Sequence, residues 1–235
     1  MHKIPLSTED ILHRKNLQNI IRDERFRVAI FGSARIKPED ELYESIAEFS
    51  RDLAIKWYDI VTGGGPGTME AASRGHYLAC EVCGDPSAIG INIELPFEQK
   101  PNRYLDVEET VSTFSARLDT FMVLSHMFVI APGGIGTLLE LFYTWQLMQV
   151  GHICHAPIIL WGEEYKWLKD FINTSILKKW FASQEEVNLA IQVNTLDEVL
   201  VLIDTARKSY DTLGKNACVN ITQYLAGARN LGLID

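Results

Sequence analysis

Short, nearly continuous apolar runs recur along the chain. They are "FRVAIFGSAR" at 26–35, "DIVTGGG" at 59–65, "SAIGINIEL" at 87–95, "HMFVIAP" at 126–132, "APIILWG" at 156–162 and "AIQVN" at 190–194. Between them lie longer stretches whose apolar residues return every three or four positions, such as Leu42, Ile46, Phe49 and Leu53 within 38–58. The first pattern predicts strands buried on both faces, the second amphipathic helices. Further helices are predicted over 7–24, where Ser7 and Asp10 fit a capping box, and over 67–80, 113–125 and 136–151, with more on either side of 190–194. The polar segment 96–111 contains two prolines and reads as a long loop entering a short strand.

Strands alternating with helices imply an α/β fold: a Rossmann-like, doubly wound, mostly parallel sheet with helices on both faces. No linker or low-complexity segment divides the chain, so 1–235 reads as one domain, with an N-terminal helix in 1–25 and a C-terminal extension over 163–235. In such sheets ligands bind outside the carboxyl ends of the strands. That edge is where Gly32, Gly63, Gly64, Gly65, Gly133, Gly134 and Gly136 fall.

The two glycine stretches "GGGPGTMEAA" (63–72) and "APGGIGTLLE" (131–140) each join a strand to a helix. A helix N-terminus presents unpaired N–H groups, and glycine lets them approach a phosphate without a Cβ in the way. Glycines serving only as tight turns would account for one such loop; two, each with a threonine, point to phosphate. Neither loop has the Gly-Lys-Ser/Thr of a P-loop or the third glycine of the dinucleotide fingerprint, so ATP hydrolysis and hydride transfer lose their usual residues. Glu140 stands on the first or second turn of its helix, either as a bland partner of the helix dipole or placed to stabilise a cationic transition state of glycosidic cleavage. Arg117 reaches the same edge, unless it is a surface residue bridging Asp119 or Glu98.

Composition narrows the partners. The formal net charge of -9 gives no overall basic field for nucleic acid or anionic membrane. The longest apolar stretch, 121–132, is too short to span a bilayer, and the start "MHKIPLSTED" has no signal-peptide h-region. Reduced cysteines in a cytoplasmic protein are the simplest reading. Cys80 and Cys83 lack a second pair to complete a zinc site, and His152, Cys154 and His155 read as a solvated turn, so no metal is expected.

"PGGIGTLLE" and "GGGPGTMEAA" resemble the PGGxGTxxE signature and companion glycine motif of the lysine-decarboxylase-like, or LOG, family; "GINIELPFEQKPNRY" (90–104) resembles its longer bacterial branch. The resemblance runs from about residue 27 to 162. It implies a homodimer or higher homo-oligomer that hydrolyses a nucleoside 5′-monophosphate, a cytokinin ribotide or common nucleotide, to free base and ribose 5-phosphate without a cofactor. Decarboxylation is not implied, since no lysine lies in either glycine loop. Residue by residue, it implies catalytic roles for Arg117 and Glu140. Substrate-binding roles fall to Ser33, Gly63, Gly64, Gly65, Gly67, Thr68, Met69, Glu98, Gly133, Gly134, Gly136 and Thr137. Leu118 and Leu139 depart from the lysine and glutamate common at those places. A carrier of a nucleotide or of molybdenum cofactor, as in the wider superfamily, is the alternative.

Overall fold

The computed structural model describes residues 14–23, 25–83, 86–94, 100–213, 221–230 and 232–233. Its elements are α1 (Lys15–Arg22), β1 (Arg27–Phe31), α2 (Glu41–Ile55), β2 (Asp59–Thr62), α3 (Thr68–Cys83), β3 (Ala88–Ile93), β4 (Val107–Val111), α4 (Phe114–Leu124), β5 (Met127–Ile130) and α5 (Ile135–Gln149). After these come β6 (Ile158–Trp161), α6 (Lys166–Phe171), α7 (Gln184–Val187), β7 (Ala190–Val193), α8 (Leu196–Leu213) and α9 (Ile221–Asn230). The predicted capping box at Ser7 and Asp10 lies outside the described residues.

All six strand pairings are parallel, in the order β4-β3-β2-β1-β5-β6-β7. The order reverses between β1 and β5, leaving a crevice at their carboxyl ends, which is where ligands enter doubly wound sheets. Strand alternation divides the core in two. Val28 and Ile30 face Tyr43, Ile46 and Phe49 of α2 and Val199 and Leu202 of α8 on one side. Ala29 and Phe31 face Leu17 of α1, Phe121 of α4 and Leu141 and Trp145 of α5 on the other. Both faces being covered, the strands read as continuous apolar runs, as the sequence predicts.

At the opposite, amino edge of the sheet, a buried cation acts as a clasp. Arg27 donates to the carbonyls of Leu124, Ile20 and Asp23, tying α1 and α4 to the central strand. Burial lowers the basicity of its guanidinium, and Asp59, Tyr210 and Asp23 oppose that shift. One sequence expectation is corrected here: Cys154 is disulfide-bonded rather than a free thiol. Sequence counts cysteines but does not reveal which sulfurs the fold brings to bonding distance.

Helices α2 and α3 meet at a backbone-to-backbone approach. A Cβ at Gly75 would stand 1.9 Å from the carbonyl oxygen of Ala47. Neither backbone can yield cheaply, so Gly75→Ala is expected to cost about 1–3 kcal/mol through overpacking. Urea denaturation followed by circular dichroism checks this; an unchanged midpoint would mean that the two helices separate without penalty.

Candidate functional site

The crevice between β1 and β5 holds a cleft of about 530 Å³. Its walls come from the end of β1 (Ile30, Phe31), the turn Gly32–Arg35, Gly63, Met69, Arg117 of α4, and Gly134, Ile135, Gly136, Thr137 and Glu140 of α5. This volume lies in the ordinary range for small-molecule sites.

Backbone geometry makes the cleft from both glycine motifs at once. Ser33 N–H donates to the carbonyl of Pro132 at 3.1 Å, and Ser33 C=O accepts from Thr68 N–H at 2.9 Å. The turn after β1 is therefore bonded to the β5–α5 loop on one side and to the β2–α3 loop on the other. Gly67 adopts φ +70°, and a Cβ there would meet Ser33 O at 2.4 Å. Only glycine satisfies that conformation and that approach together.

The two loops then differ. Helix α5 begins at Gly134 with no side-chain cap, so first-turn N–H groups lack a side-chain acceptor. A Cβ at Gly134 or Gly136 would meet nothing within 4 Å, so this helix end is open to a ligand. In the other loop, a Cβ at Gly64 would meet the amide of Asn92, and one at Gly63 would meet Arg117 and Met69. Gly64, Gly65, Gly67 and Thr68 do not line the cleft; Gly63 and Met69 do. The β2–α3 loop acts chiefly as a wall, held by residues that sequence reading did not single out for a role. Asn102 donates from its side-chain amide to the carbonyls of Gly64 and Gly65 at 3.1 and 3.2 Å, and its backbone N–H donates to Gly64 O at 2.8 Å. Tyr165 does the same for the other loop, donating its hydroxyl to Ala131 O at 2.8 Å. An Asn beside a glycine motif, in "PNRY", was the available signal for the first; nothing local announced the second.

Arg117 and Glu140 form the floor. Arg117 Nε donates to Ile91 O at 2.8 Å and Nη2 to Gly63 O at 3.2 Å, so its fork joins the ends of β3 and β2. The alternative of a bridge from Arg117 to Asp119 is not what forms; that carboxylate accepts from Tyr143 Oη at 2.6 Å. Burial lowers the basicity of Arg117, and the nearby Glu140 charge opposes that. Burial pushes the Glu140 carboxyl up to about 7, although Arg117 pulls it down. The floor is thus a carboxyl poised between its two protonation states near neutrality, backed by a fixed cation.

Of the remaining sequence candidates, Gly133 stands behind the cradle, where a Cβ would meet the side chain of Thr137. Ser33, Gly134, Gly136 and Thr137 line the cleft. Glu98 lies outside the described residues. Leu118 is buried in α4 and Leu139 is exposed on α5, and neither lines the cleft.

Known proteins resemble this chain in sequence and in fold. The family model described as "Possible lysine decarboxylase" matches residues 69–203, more than half of the chain. The pyrimidine/purine nucleotide 5′-monophosphate nucleosidase of Escherichia coli K12 is 28% identical over 150 residues, covering 59% of this chain and 33% of its own length. The chain thus corresponds to about a third of that curated relative. Among solved structures, the structural-genomics protein TM1055 superposes with a TM-score of 0.58 at 25% identity, covering 76% of this chain and 98% of its own. The molybdenum cofactor binding protein of Rippkaea orientalis gives 0.58 at 18% identity, covering 77% of this chain and 96% of its own, a likeness of fold alone. With both glycine motifs built into one cleft and the family match extending over most of the sheet, the chain belongs to the lysine-decarboxylase-like, or LOG, family.

Proposed function

We propose that this protein hydrolyses the N-glycosidic bond of a nucleoside 5′-monophosphate, giving free base and ribose 5-phosphate. The observation that carries this reading is a titratable carboxyl, Glu140, set two turns inside an uncapped, glycine-opened helix N-terminus on the same cleft. The 5′-phosphate would take the open N–H groups of α5. A ribose reaching inward would bring C1′ toward Glu140.

As the C1′–N bond breaks, its electron pair leaves with the base, which gains a proton from solvent. Positive charge develops on C1′ and the ring oxygen, and the ionised carboxylate stabilises it electrostatically. Water then bonds to C1′ and releases its proton, completing ribose 5-phosphate. Arg117 acts by its charge, keeping Glu140 partly ionised; two of its donors are held by the carbonyls of Ile91 and Gly63. The E. coli relative's name supports a nucleotide monophosphate as substrate. A carrier would use the same cradle, but it has no need of a carboxyl placed against a developing cation. A stripe of exposed apolar residues on α5, Ile135, Leu139 and Phe142, supports the homo-oligomer that the family resemblance implies.

Chromatography of AMP, GMP, CMP, UMP and IMP after incubation tests the proposal. Wild-type protein is expected to release free base, and Glu140→Gln to lose about 10²- to 10³-fold in kcat with an unchanged circular dichroism spectrum. Undiminished release by the variant would sink the assignment. Retention of an unconverted nucleotide or pterin by wild type, with no base formed, would favour the carrier.

The reactive form being the carboxylate, kcat/KM should climb as pH rises through about 7. A limb that falls instead would make Glu140 a proton donor to the leaving base.

Stability should run the other way. The folded carboxyl titrates at about 7, above its ordinary 4.5. Between these values the folded state binds more protons than the unfolded one, so stability declines with rising pH across that window and levels off above it. Thermal unfolding of wild type and Glu140→Gln from pH 5 to 8 checks this, the variant gaining relative to wild type as pH rises. A constant difference would mean the carboxyl titrates normally.

A further inference from the structure

Resting on the nucleotide-hydrolase reading, we infer that Arg35 is the residue that selects for the substrate's 5′-phosphate, closing the anion site begun by the N-terminus of α5. Among the described residues lining the cleft, the cations are Arg35 and Arg117. Arg117 is committed: its guanidinium donates to Ile91 O and Gly63 O, lies over the Phe121 ring and offsets the charge of Glu140. The floor of the cleft therefore carries little net charge to offer a phosphate, which brings nearly two negative charges at neutral pH.

Arg35 is in the opposite condition. Its side chain is exposed at the cleft wall and, among the described residues, has no ion pair, side-chain hydrogen bond or ring contact. Arg14, Arg25, Lys56, Arg74 and Lys166 hold carboxylates, and exposed Arg22 and Arg51 do not among the described residues, but of these unpaired arginines only Arg35 lines the cleft. A cation left without a carboxylate beside an open helix N-terminus is the arrangement that an anionic ligand completes.

The backbone beneath Arg35 is held firmly. Ser33 is bonded to Pro132 and Thr68, and Arg35 N–H donates to Ser33 Oγ at 3.1 Å. That last bond uses Ser33 Oγ as acceptor, leaving its own O–H free to donate. The turn thus supplies a hydroxyl and a guanidinium next to the N–H groups of Gly134–Thr137, and all of them line the same cleft. An arginine here supplies the bidentate, charge-assisted contact that distinguishes a phosphate from a hydroxyl. Nucleosides would lose that contact, so the site would prefer nucleotides.

Calorimetry with ribose 5-phosphate, in the Glu140→Gln background, tests the role without depending on turnover. Arg35→Gln is expected to weaken Kd about 10- to 100-fold, the loss typical of hydrogen bonds to a charged group, with Arg35→Lys recovering part of it. In the otherwise wild-type protein, the ratio of kcat/KM for AMP to that for adenosine should fall by a similar factor. An unchanged Kd in Arg35→Gln would overturn the inference, and so would failure of the parent to bind ribose 5-phosphate. Failure of the hydrolase reading has a separate signature: ribose 5-phosphate binding that depends on Arg35, with no base released by wild type.

Discussion

The cleft depends on one half-buried guanidinium. Arg117 comes from α4, but its two hydrogen bonds end on backbone carbonyls of β3 and β2, and its charge is felt by Glu140 on α5. A cation removed from water is costly unless its donors are satisfied and an opposite charge is near. Here two backbone carbonyls accept from it and Glu140 supplies the opposite charge, so four elements must be in register for the arginine to be tolerated. The same condition gives Glu140 its chemistry. Without the arginine, burial alone would hold the acid protonated at neutral pH; without burial, it would be an ordinary surface carboxylate.

The edge around this pair is built by backbone rather than side chains. The Ser33 peptide joins the loops that carry the two glycine motifs, and its close approach to Gly67 is why glycine is needed there. Yet the motifs, so similar in sequence, do different work. The β5–α5 motif leaves its helix end uncapped and open. The β2–α3 motif is packed against Asn92 and the β1 turn and is braced by Asn102. One cradles and the other supports, an asymmetry that follows from what each loop meets across the crevice.

The parallel sheet and its covered faces were legible because the strands other than β4 are nearly continuous apolar runs, and strands so coloured cannot lie at a solvated face. The strand order was not, because no local pattern says which strands become neighbours. The approach of Arg117 and Glu140 to the carboxyl edge was legible too, since each falls in the early turns of a helix that follows a strand. What stayed hidden depended on contacts distant in sequence: Tyr165 reaching Ala131, Asn102 reaching Gly64, and the disulfide at Cys154. No periodicity encodes these, because each is set by how separate elements pack. Leu118 and Leu139, which stand out as departures when the sequence is set beside its family, turn out to sit away from the cleft lining. Leu118 packs in the core and Leu139 is exposed on the outer face of α5.

Under the proposed function, a cleft that holds a phosphate dianion and also ionises an acid faces an electrostatic conflict. Phosphate near Glu140 opposes loss of its proton, while the reaction needs the carboxylate when positive charge appears at C1′. Spatial division relieves the conflict. The α5 N-terminus and Arg35 belong to the rim and can screen the phosphate there, whereas Arg117 lies deeper and acts on the acid. Neither cation could serve both ends. A guanidinium locked to two carbonyls cannot follow a ligand, and one at the exposed rim is too well hydrated to hold a buried carboxylate ionised. Two arginines in different dielectric surroundings give the cleft a direction, and a nucleotide entering it would find its phosphate and its glycosidic bond sorted accordingly.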